Sequence, residues 1–304
     1  MSLDLPRPAQ SRLKAALRLI VIEQLRVLFS AHHMSKRNRR LNLKPPGRCI
    51  FCSRMAVSKE HFWPEWAHGL IKHPSPPAGN VEDVWAITAY SPTPSLTHRR
   101  NRQGSVLTKR LRCVCETCNS GWMSMIEEAC IPVMTPLIVG NKCTLDLDDQ
   151  KLVAIWTALK LFIAEKGVAQ RQLSTQNERA LFMNWRTFPP KLKIWIGRCG
   201  QGGWESGFWR SVDTIGLPGH EPRPSSPNIQ TITIGFGDLL IHARQSKAHI
   251  DVELKGKDFF YQIWPPEATT ITWPPKGRLT QQQASRIADV LGELGRMRGV
   301  MRIP

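Results

Sequence analysis

The sequence lacks a run of about 18 uncharged apolar residues, which is the length that a membrane-spanning helix needs. We therefore expect no spanning helix and no membrane partner. Acidic side chains are also scarce: 24 Asp and Glu stand against 42 Lys and Arg, and the formal net charge is +18. So much positive charge disfavours the compact state unless a polyanion neutralises it. Nucleic acid is therefore the first class of partner to consider.

We expect no secretory signal either, because charged residues interrupt the apolar part of the first thirty residues. The eight cysteines therefore indicate metal-bound thiolates in a reducing cytoplasm rather than a disulfide framework. The composition excludes a disordered chain, because 41% of the 304 residues are hydrophobic and eleven are Trp. This length suffices for about two domains with a buried core.

Three units follow one another along the chain. Residues 1–47 are predicted to be a basic helical arm, with a helix over roughly 10–30, because apolar residues recur there at steps of three and four. The Pro45-Pro46-Gly47 sequence marks the boundary to residues 48–145, which hold two cysteine pairs. Residues 146–304 are predicted to form an accessory domain of mixed helices and antiparallel strands. The fold class is therefore α+β.

Capping signals and alternation define the elements of the accessory domain. Asp148 is predicted to cap a helix that continues to about Lys166. Capping boxes open two further helices, at Thr175-x-x-Glu178 and Thr280-x-x-Gln283. Alternating apolar residues predict strands near 192–196, 232–236 and 250–254. The role of this domain is open, and it offers a surface for a protein partner.

Four cysteines form two Cys-x-x-Cys pairs, Cys49/Cys52 and Cys115/Cys118. Each pair can offer two sulfurs to one tetrahedral Zn²⁺ at about 2.3 Å, so the pattern predicts a four-thiolate structural zinc site. Cys113 competes with Cys115 by position, but only Cys115 keeps the two-residue gap. Buried free thiols are the expected state of the remaining cysteines, Cys130, Cys143 and Cys199.

A second set of residues flanks the cysteine pairs. Glu60 and His61 follow the first pair, and Asn119 directly follows the last thiolate. A structural zinc would bring His61 and Asn119 into one cleft despite their separation in sequence. A neutral imidazole can take a proton from water, whereas carboxylate and amide oxygens suit a hard ion such as Mg²⁺. Taken alone, a His next to a Glu is commonplace, and it is more often a surface or packing histidine than a catalytic one.

These motifs resemble those of the zinc-bearing HNH endonucleases, which have the ββα-metal fold. The resemblance covers about residues 48–130 and rests on Cys49-x-x-Cys52, Glu60-His61-x-x-Pro64-x-Trp66 and Cys115-x-x-Cys118-Asn119-x-Gly121-Trp122-Met123. The pattern is similar to a bacterial and phage subgroup with an Asn-x-Gly-Trp-Met signature, and to phage junction-resolving endonucleases. Ile263-Trp264-Pro265 and Trp273-Pro274-Pro275 look like the tail of the same subgroup.

The resemblance implies divalent-metal-dependent hydrolysis of DNA. His61 would be the general base that activates the attacking water, and Glu60 and Asn119 would bind a catalytic Mg²⁺ or Mn²⁺. The four cysteines would hold structural zinc only. The expected products carry a 5′-phosphate and a 3′-hydroxyl.

The sequence departs from the family pattern in two places. No Asn lies between Thr108 and Arg112, although Asn80 or Asn101 could serve from the long insertion, and a second metal-binding His is missing from the helix. These two differences argue against efficient DNA cleavage more than they argue against the ββα-metal fold. The main alternative is a catalytically inactive zinc module that binds nucleic acid. A third possibility, the nuclease effector of a defence or toxin system, would share the same chemistry.

Two basic clusters without acidic residues supply the phosphate contacts that a nuclease needs. They consist of Lys36, Arg37, Arg39 and Arg40, and of Arg99, Arg100, Arg102, Lys109, Arg110 and Arg112. A solvated, solubilising face is the alternative explanation. Five further aromatic residues could stack bases, but core packing is the expected use of most of them. They are Trp195, Trp204, Trp209, Trp264 and Trp273.

Overall fold

The structure is a computed structural model. It describes residues 21–26, 29–30, 47–55, 58–71, 79–88, 91–102, 107, 109–166, 172–200, 206–214, 227–247, 254, 256 and 258–290. The strands are β1 (Val21–Arg26), β2 (Phe29–Ser30), β3 (Ser58–His61), β4 (Gly79–Thr88), β5 (Ser91–Arg102), β6 (Arg110–Val114), β7 (Cys143–Leu145), β8 (Leu192–Arg198), β9 (Phe208–Thr214), β10 (Ile229–Phe236), β11 (Leu239–Ser246), β12 (Phe260–Trp264) and β13 (Ile271–Trp273). The helices are α1 (Glu116–Cys118), α2 (Ser124–Val139), α3 (Leu147–Glu165), α4 (Gln176–Trp185) and α5 (Gln281–Ala288), with a 3-10 helix at Glu65–Leu70. The described elements confirm a mixed α+β architecture with antiparallel sheets.

The largest sheet has nine antiparallel strands among the described residues. Their order is β12-β8-β11-β10-β9-β1-β4-β2, and β5 pairs with β4. Ile232, Ile234 and Phe236 alternate along β10 and join the main apolar core, as the sequence pattern predicts. The same core contains the buried side of α3, with the rings of Trp156 and Phe236 5.8 Å apart. The central strands therefore pack against α3. Helix α3 in turn packs against the cysteine-rich region, where the rings of Phe162 and Phe51 are 6.1 Å apart.

The N-cap of helix α3 lies two residues before the predicted position. The cap is Asp146 and not Asp148, because the Asp146 carboxylate accepts from the backbone N–H groups of Asp148 and Asp149, each at 2.9 Å. Asp146 has the extended backbone of a residue just outside a helix, with φ −81° and ψ −172°. Asp148 already lies in the first turn, where its charge favours the helix N-terminus.

The other patterns of the accessory domain have mixed outcomes. Thr175 and Thr280 each accept the predicted backbone hydrogen bond and form complete capping boxes at α4 and α5. The predicted strands near 192–196 and 232–236 are confirmed as β8 and β10. Most of the predicted strand at 250–254 lies outside the described residues.

The predicted N-terminal helix is wrong at residues 21–26 and 29–30, which form β1 and β2. Strand β1 pairs with β4 on one side and with β9 on the other. These pairings satisfy the backbone N–H and C=O groups of β1 on both sides. This stabilisation decides the conformation, although the spacing of the apolar residues favours a helix. The rest of the arm lies outside the described residues. One sheet thus joins strands from all three predicted units, whose boundaries stay predictions.

Strands β3 and β6 pair antiparallel, and the chain then continues through α1 and the π-helical turn Asn119–Met123 into α2. Helix α2 ends at Gly140, whose φ of +76° is the left-handed conformation typical of a helix end. The combined segment Glu116–Val139 is long and apolar enough, by length and composition only, to cross a membrane. This differs from the expectation that the chain contains no helix of that kind. One side of it is buried against the protein core, at Met123, Ile126, Cys130, Met134, Leu137 and Ile138.

Candidate functional site

The four predicted zinc ligands form one cluster. Their Sγ atoms all lie within 4.8 Å of one another. Tetrahedral Zn–S bonds of about 2.3 Å place sulfurs about 3.8 Å apart, so the cluster can hold a structural metal such as zinc. Cys113 is not in the cluster; burial raises the pKa of its thiol to about 12, as expected for a buried free thiol. Cys130 and Cys199 are fully buried thiols as predicted, whereas Cys143 is only half-buried.

Backbone hydrogen bonds give the first cysteine pair its shape. The N–H of Ser53 donates to the carbonyl of Cys49 at 3.0 Å, and Ser53 has a left-handed φ of +62°. The N–H of Ile50 donates to the carbonyl of Cys113 at 2.9 Å, which joins this turn to the strand that leads to the second pair. Contacts distant in sequence therefore bring the two pairs together.

Helix α4 fixes the first pair from a third direction. Arg179 Nε donates to the carbonyl of Ile50 at 3.0 Å, and Gln176 Nε2 donates to the carbonyl of Phe51 at 3.0 Å. Arg179 is itself buried, and its Nη1 also donates to the carbonyl of Ser174. The carbonyls of the cysteine turn would otherwise be unpaired beside an apolar core, so these bonds hold the turn in place.

The strand β3 separates the predicted catalytic residues between its two faces. Ser58 and Glu60 are buried, whereas Lys59 is exposed and His61 is partly exposed. Successive side chains of a strand point to opposite faces, so Glu60 faces the core and His61 faces outward. Asn119 joins the inner face, because its Nδ2 donates to Ser58 Oγ at 2.7 Å. The predicted cleft of Glu60, His61 and Asn119 is therefore not a single cluster in the described structure.

A buried lysine holds Glu60 on the inner face. Lys160 Nζ donates to Glu60 Oε1 at 3.0 Å, to Glu127 Oε1 at 2.7 Å and to the carbonyl of His61 at 3.1 Å. Burial alone would lower the pKa of Lys160, but the carboxylates of Glu127 and Glu60 outweigh it and the net shift is upward. The ammonium therefore stays charged and uses all three of its donors. Burial raises the pKa of the Glu60 carboxyl, and the negative charge of Glu127 adds to that rise.

This arrangement bears on the catalytic divalent ion that the sequence resemblance implies. A metal ligand needs a free carboxylate oxygen and several further oxygens around one point. Glu60 Oε1 instead pairs with the Lys160 cation, whereas Asn119 contacts Ser58 through its Nδ2 and not through the amide oxygen that a metal would bind. Among the described residues, the only group of three or more Cys, His, Asp or Glu that could hold an ion is the cysteine cluster. Glu60 as placed, with Oε1 held by Lys160, therefore does not offer the free carboxylate that a Mg²⁺ or Mn²⁺ site needs.

On the outer face, His61 has charged neighbours of both signs. Its Nε2 lies 3.2 Å from Glu65 Oε1, and the Arg110 Nε donates to the same ring nitrogen. Arg110 belongs to β6, directly across from His61 in the strand pairing. Burial lowers the pKa of the His61 imidazole; Glu65 opposes this effect, and Arg110 adds to it. The net result favours a neutral imidazole near pH 7.

The predicted phosphate-binding residues are placed unevenly. Arg110 and Arg112 are exposed on β6, and Lys109 is partly exposed just before it. Strand β5 carries Arg99, Arg100 and Arg102 together with Asn101, and strand β4 carries Asn80. For both strands the structure describes the backbone only. The first basic cluster, Lys36, Arg37, Arg39 and Arg40, lies outside the described residues.

Sequence reasoning missed Lys160 and its partner Glu127. The available signal was the position of one charged residue in the apolar stretch from Leu159 to Ala164. A lysine that a helix must bury needs an acidic partner, and that partner is not visible in the helix itself. It also missed Arg179, whose role depends on carbonyls far away in sequence. Of the motif residues that follow Asn119, Met123 is buried and Trp122 packs edge-on to Phe51.

Comparison with protein-family models, with curated proteins and with solved structures finds no match. The function is therefore inferred from the geometry of the chain's own residues.

Proposed function

We propose that the protein is a zinc-stabilised nuclease that hydrolyses phosphodiester bonds in DNA, with His61 as its general base. The observation that carries the proposal is the position of His61. It is a partly exposed imidazole, 20% accessible, on the outer face of the β3–β6 pair, with Arg110 beside it. Proton abstraction from water and phosphate binding are the two tasks that hydrolysis needs, and these two side chains suit them.

The contacts of His61 Nε2 indicate how its proton would be handled. As an acceptor from Arg110, Nε2 is unprotonated. A phosphate that draws the Arg110 guanidinium towards its oxygens would release Nε2 to take a proton from water. The hydroxide so formed attacks phosphorus while the bond from phosphorus to the 3′-oxygen breaks, and the leaving 3′-oxygen takes a proton from solvent water. Glu65 Oε1, at 3.2 Å from the same nitrogen, can then accept a hydrogen bond from the imidazolium that forms. The steps proposed here use these three side chains and are not routed through Glu60.

Plasmid cleavage tests the proposal. Supercoiled DNA is incubated with the purified protein in Mg²⁺, in Mn²⁺ and in EDTA, and nicked or linear product is quantified. His61→Ala is expected to lower the rate by about 10²-fold or more, the usual contribution of a general base. His68→Ala is the matched control, because the two rings are 6.3 Å apart and His68 bonds to the carbonyl of Trp63. Equal rates for the two variants would contradict the role of His61.

A second pair of variants tests the role of Arg110. Arg110 and Arg112 are both exposed on β6, but the guanidinium that contacts His61 is that of Arg110. The cleavage rate of Arg110→Gln is expected to be about tenfold or more lower than that of Arg112→Gln. Each variant loses one positive charge, but only Arg110→Gln loses it beside the general base. Similar losses in both variants would reduce Arg110 to a general electrostatic contact.

The pairing of Glu60 with Lys160 favours a second candidate function. A carboxylate held by a buried ammonium is unavailable to a metal, which suits a zinc-stabilised module that binds nucleic acid without cutting it. DNA binding by gel shift with no cleavage in any metal would support this candidate. Metal-dependent cleavage that requires His61 would support the nuclease.

A further inference from the structure

A cleft of about 820 Å³ opens between the end of α4 and the strands β8, β11 and β12. Its volume falls in the range of about 300–1,000 Å³ that small-molecule and cofactor sites occupy. It is lined by residues that belong neither to the cysteine cluster nor to the contacts of His61. The segment from Trp185 to Leu192 forms one wall, and Trp264 with Pro265 forms another.

Aromatic rings define the apolar part of this cleft. Trp185, the last residue of α4, is 77% exposed, which is unusual for so large an apolar side chain. The rings of Phe188 and Trp264, one from each wall, lie with their centroids 3.9 Å apart and their planes tilted by 33°. The cleft therefore presents flat aromatic surfaces, of which that of Trp185 is largely open to solvent.

The charges that line the cleft have one sign. Its lining includes five basic side chains and, among the described residues, no Asp or Glu. Lys151 and Lys191 are exposed and Lys193 is partly exposed, whereas Arg186 is half-buried and Arg244 is buried. Positive charge concentrated in a concave, partly apolar surface raises the local concentration of anions. The complementary ligand is therefore polyanionic and also carries flat rings.

We propose that this cleft binds a segment of single-stranded nucleic acid. Bases would stack on Trp185 and Trp264, while the phosphates lie against Lys151, Lys191 and Lys193. Aromatic platforms interleaved with basic side chains are how proteins bind single strands without reading their sequence. A duplex fits less well, because its bases already stack on one another and their faces are closed to an indole. The binding requires no hydrolysis, so it does not rest on the chemistry proposed for His61.

Helix α4 connects the cleft to the cysteine cluster. The Arg186 guanidinium, which lines the cleft, lies 4.5 Å from the centre of the Trp122 ring, three residues after Asn119. Met183 Sδ of the same helix lies 4.0 Å from Cys118 Sγ. A strand held in the cleft is thus held on the element that packs against the metal-binding turn.

Fluorescence anisotropy with a labelled oligothymidylate of about 15 nucleotides tests the proposal on the full-length protein, because single-strand sites span about 4–16 nucleotides. Trp185→Ala is expected to weaken binding at least about fivefold, the loss that one stacked base brings. Leu181→Ala is the matched control, since Leu181 is an exposed apolar residue of the same helix outside the cleft lining. The wild-type protein should bind a duplex of the same length more weakly than the single strand.

A salt titration tests the phosphate contacts separately. The double variant Lys151→Gln/Lys191→Gln is expected to lower the slope of log affinity against log salt by about 1.4, because each single-strand phosphate contact contributes about 0.7. Lys142→Gln, an exposed lysine outside the cleft, should leave the slope unchanged. His61→Ala should bind the oligonucleotide like the wild type, so that loss of cleavage and loss of binding are told apart. Affinity equal in Trp185→Ala and Leu181→Ala, or a duplex bound more tightly than the single strand, would overturn the proposal.

Discussion

Lys160 Nζ donates a hydrogen bond to Glu60 Oε1 at 3.0 Å, and the lysine side chain is completely buried. The pair joins the middle of α3 to β3, and Glu127 extends it to α2. Three elements that carry the candidate site are therefore connected by one internal cation. A buried charge is tolerated only when its partners satisfy it, so the three side chains must be considered together.

Replacing Lys160 by Met should destabilise the protein by about 3–5 kcal/mol, because it leaves Glu60 buried without its cation. Urea unfolding measures the change. Lys142→Met, at an exposed position, is the control and should alter stability by no more than about 0.5 kcal/mol.

The double variant Glu60→Gln/Lys160→Met separates charge from packing. It should lose less stability than the two single variants together, because the neutral amide no longer needs the ammonium. Additive losses would show that the buried pair contributes no coupling energy.

Removing one cysteine of the cluster should remove the metal. Cys52→Ser is expected to abolish the binding of about one zinc per chain and to lower the melting temperature, because the binding energy of a structural zinc is folding energy. Elemental analysis and thermal unfolding provide the two measurements. Cys143→Ser, which changes a half-buried thiol outside the cluster, should retain the metal.

The bond from Arg179 to the carbonyl of Ile50 predicts an effect on metal release. Arg179→Met keeps an apolar stem in place of the arginine stem but leaves that carbonyl unpaired next to Cys49. We expect zinc to transfer to a chelator several-fold faster than from the wild type, because the turn that presents Cys49 and Cys52 loses its support from α4. Arg186→Met, directly after the same helix, is the comparison. If Arg186→Met released zinc faster than the wild type and Arg179→Met did not, the end of α4 and not the bond to Ile50 would control metal release.

His242 predicts how stability depends on pH. Burial, with a smaller effect from Arg244, lowers the pKa of its imidazole to about 3, and its Nδ1 pairs with Thr233 Oγ1 at 2.8 Å. Below its ordinary pKa of about 6.5 the unfolded chain takes up a proton that the folded protein refuses. Stability should therefore fall by about 1.4 kcal/mol per pH unit as the pH drops from about 6.5 towards 3.

His242→Gln removes that titration while keeping a hydrogen-bonding side chain. Its stability, measured by urea unfolding at several pH values, should have a shallower slope than the wild type in this range. Parallel curves for the two proteins would assign the acid sensitivity to other groups.

Local chemistry explains which expectations from the sequence were met. The Cys-x-x-Cys spacing identified four ligands that converge within 4.8 Å, since each pair needs only its own turn to present two sulfurs. Thr175 and Thr280 cap helices because their hydrogen bonds reach only three residues ahead. The prediction of an N-terminal helix was wrong where β1 pairs with β4 and β9. These strands are distant in sequence, so the local pattern of apolar residues gives no information about them.

By itself the sequence determined the two cysteine pairs, the cationic character and the capping boxes at Thr175 and Thr280, because these depend on neighbours within a few residues or on composition. Only the tertiary structure decided the state of the Glu60-His61 pair. Glu60 faces inward to Lys160, and His61 faces outward to Arg110, although the two are adjacent in the chain. The physical reason is the alternation of a strand, which sends neighbours to opposite faces, together with a buried cation supplied by a helix a hundred residues further along the chain.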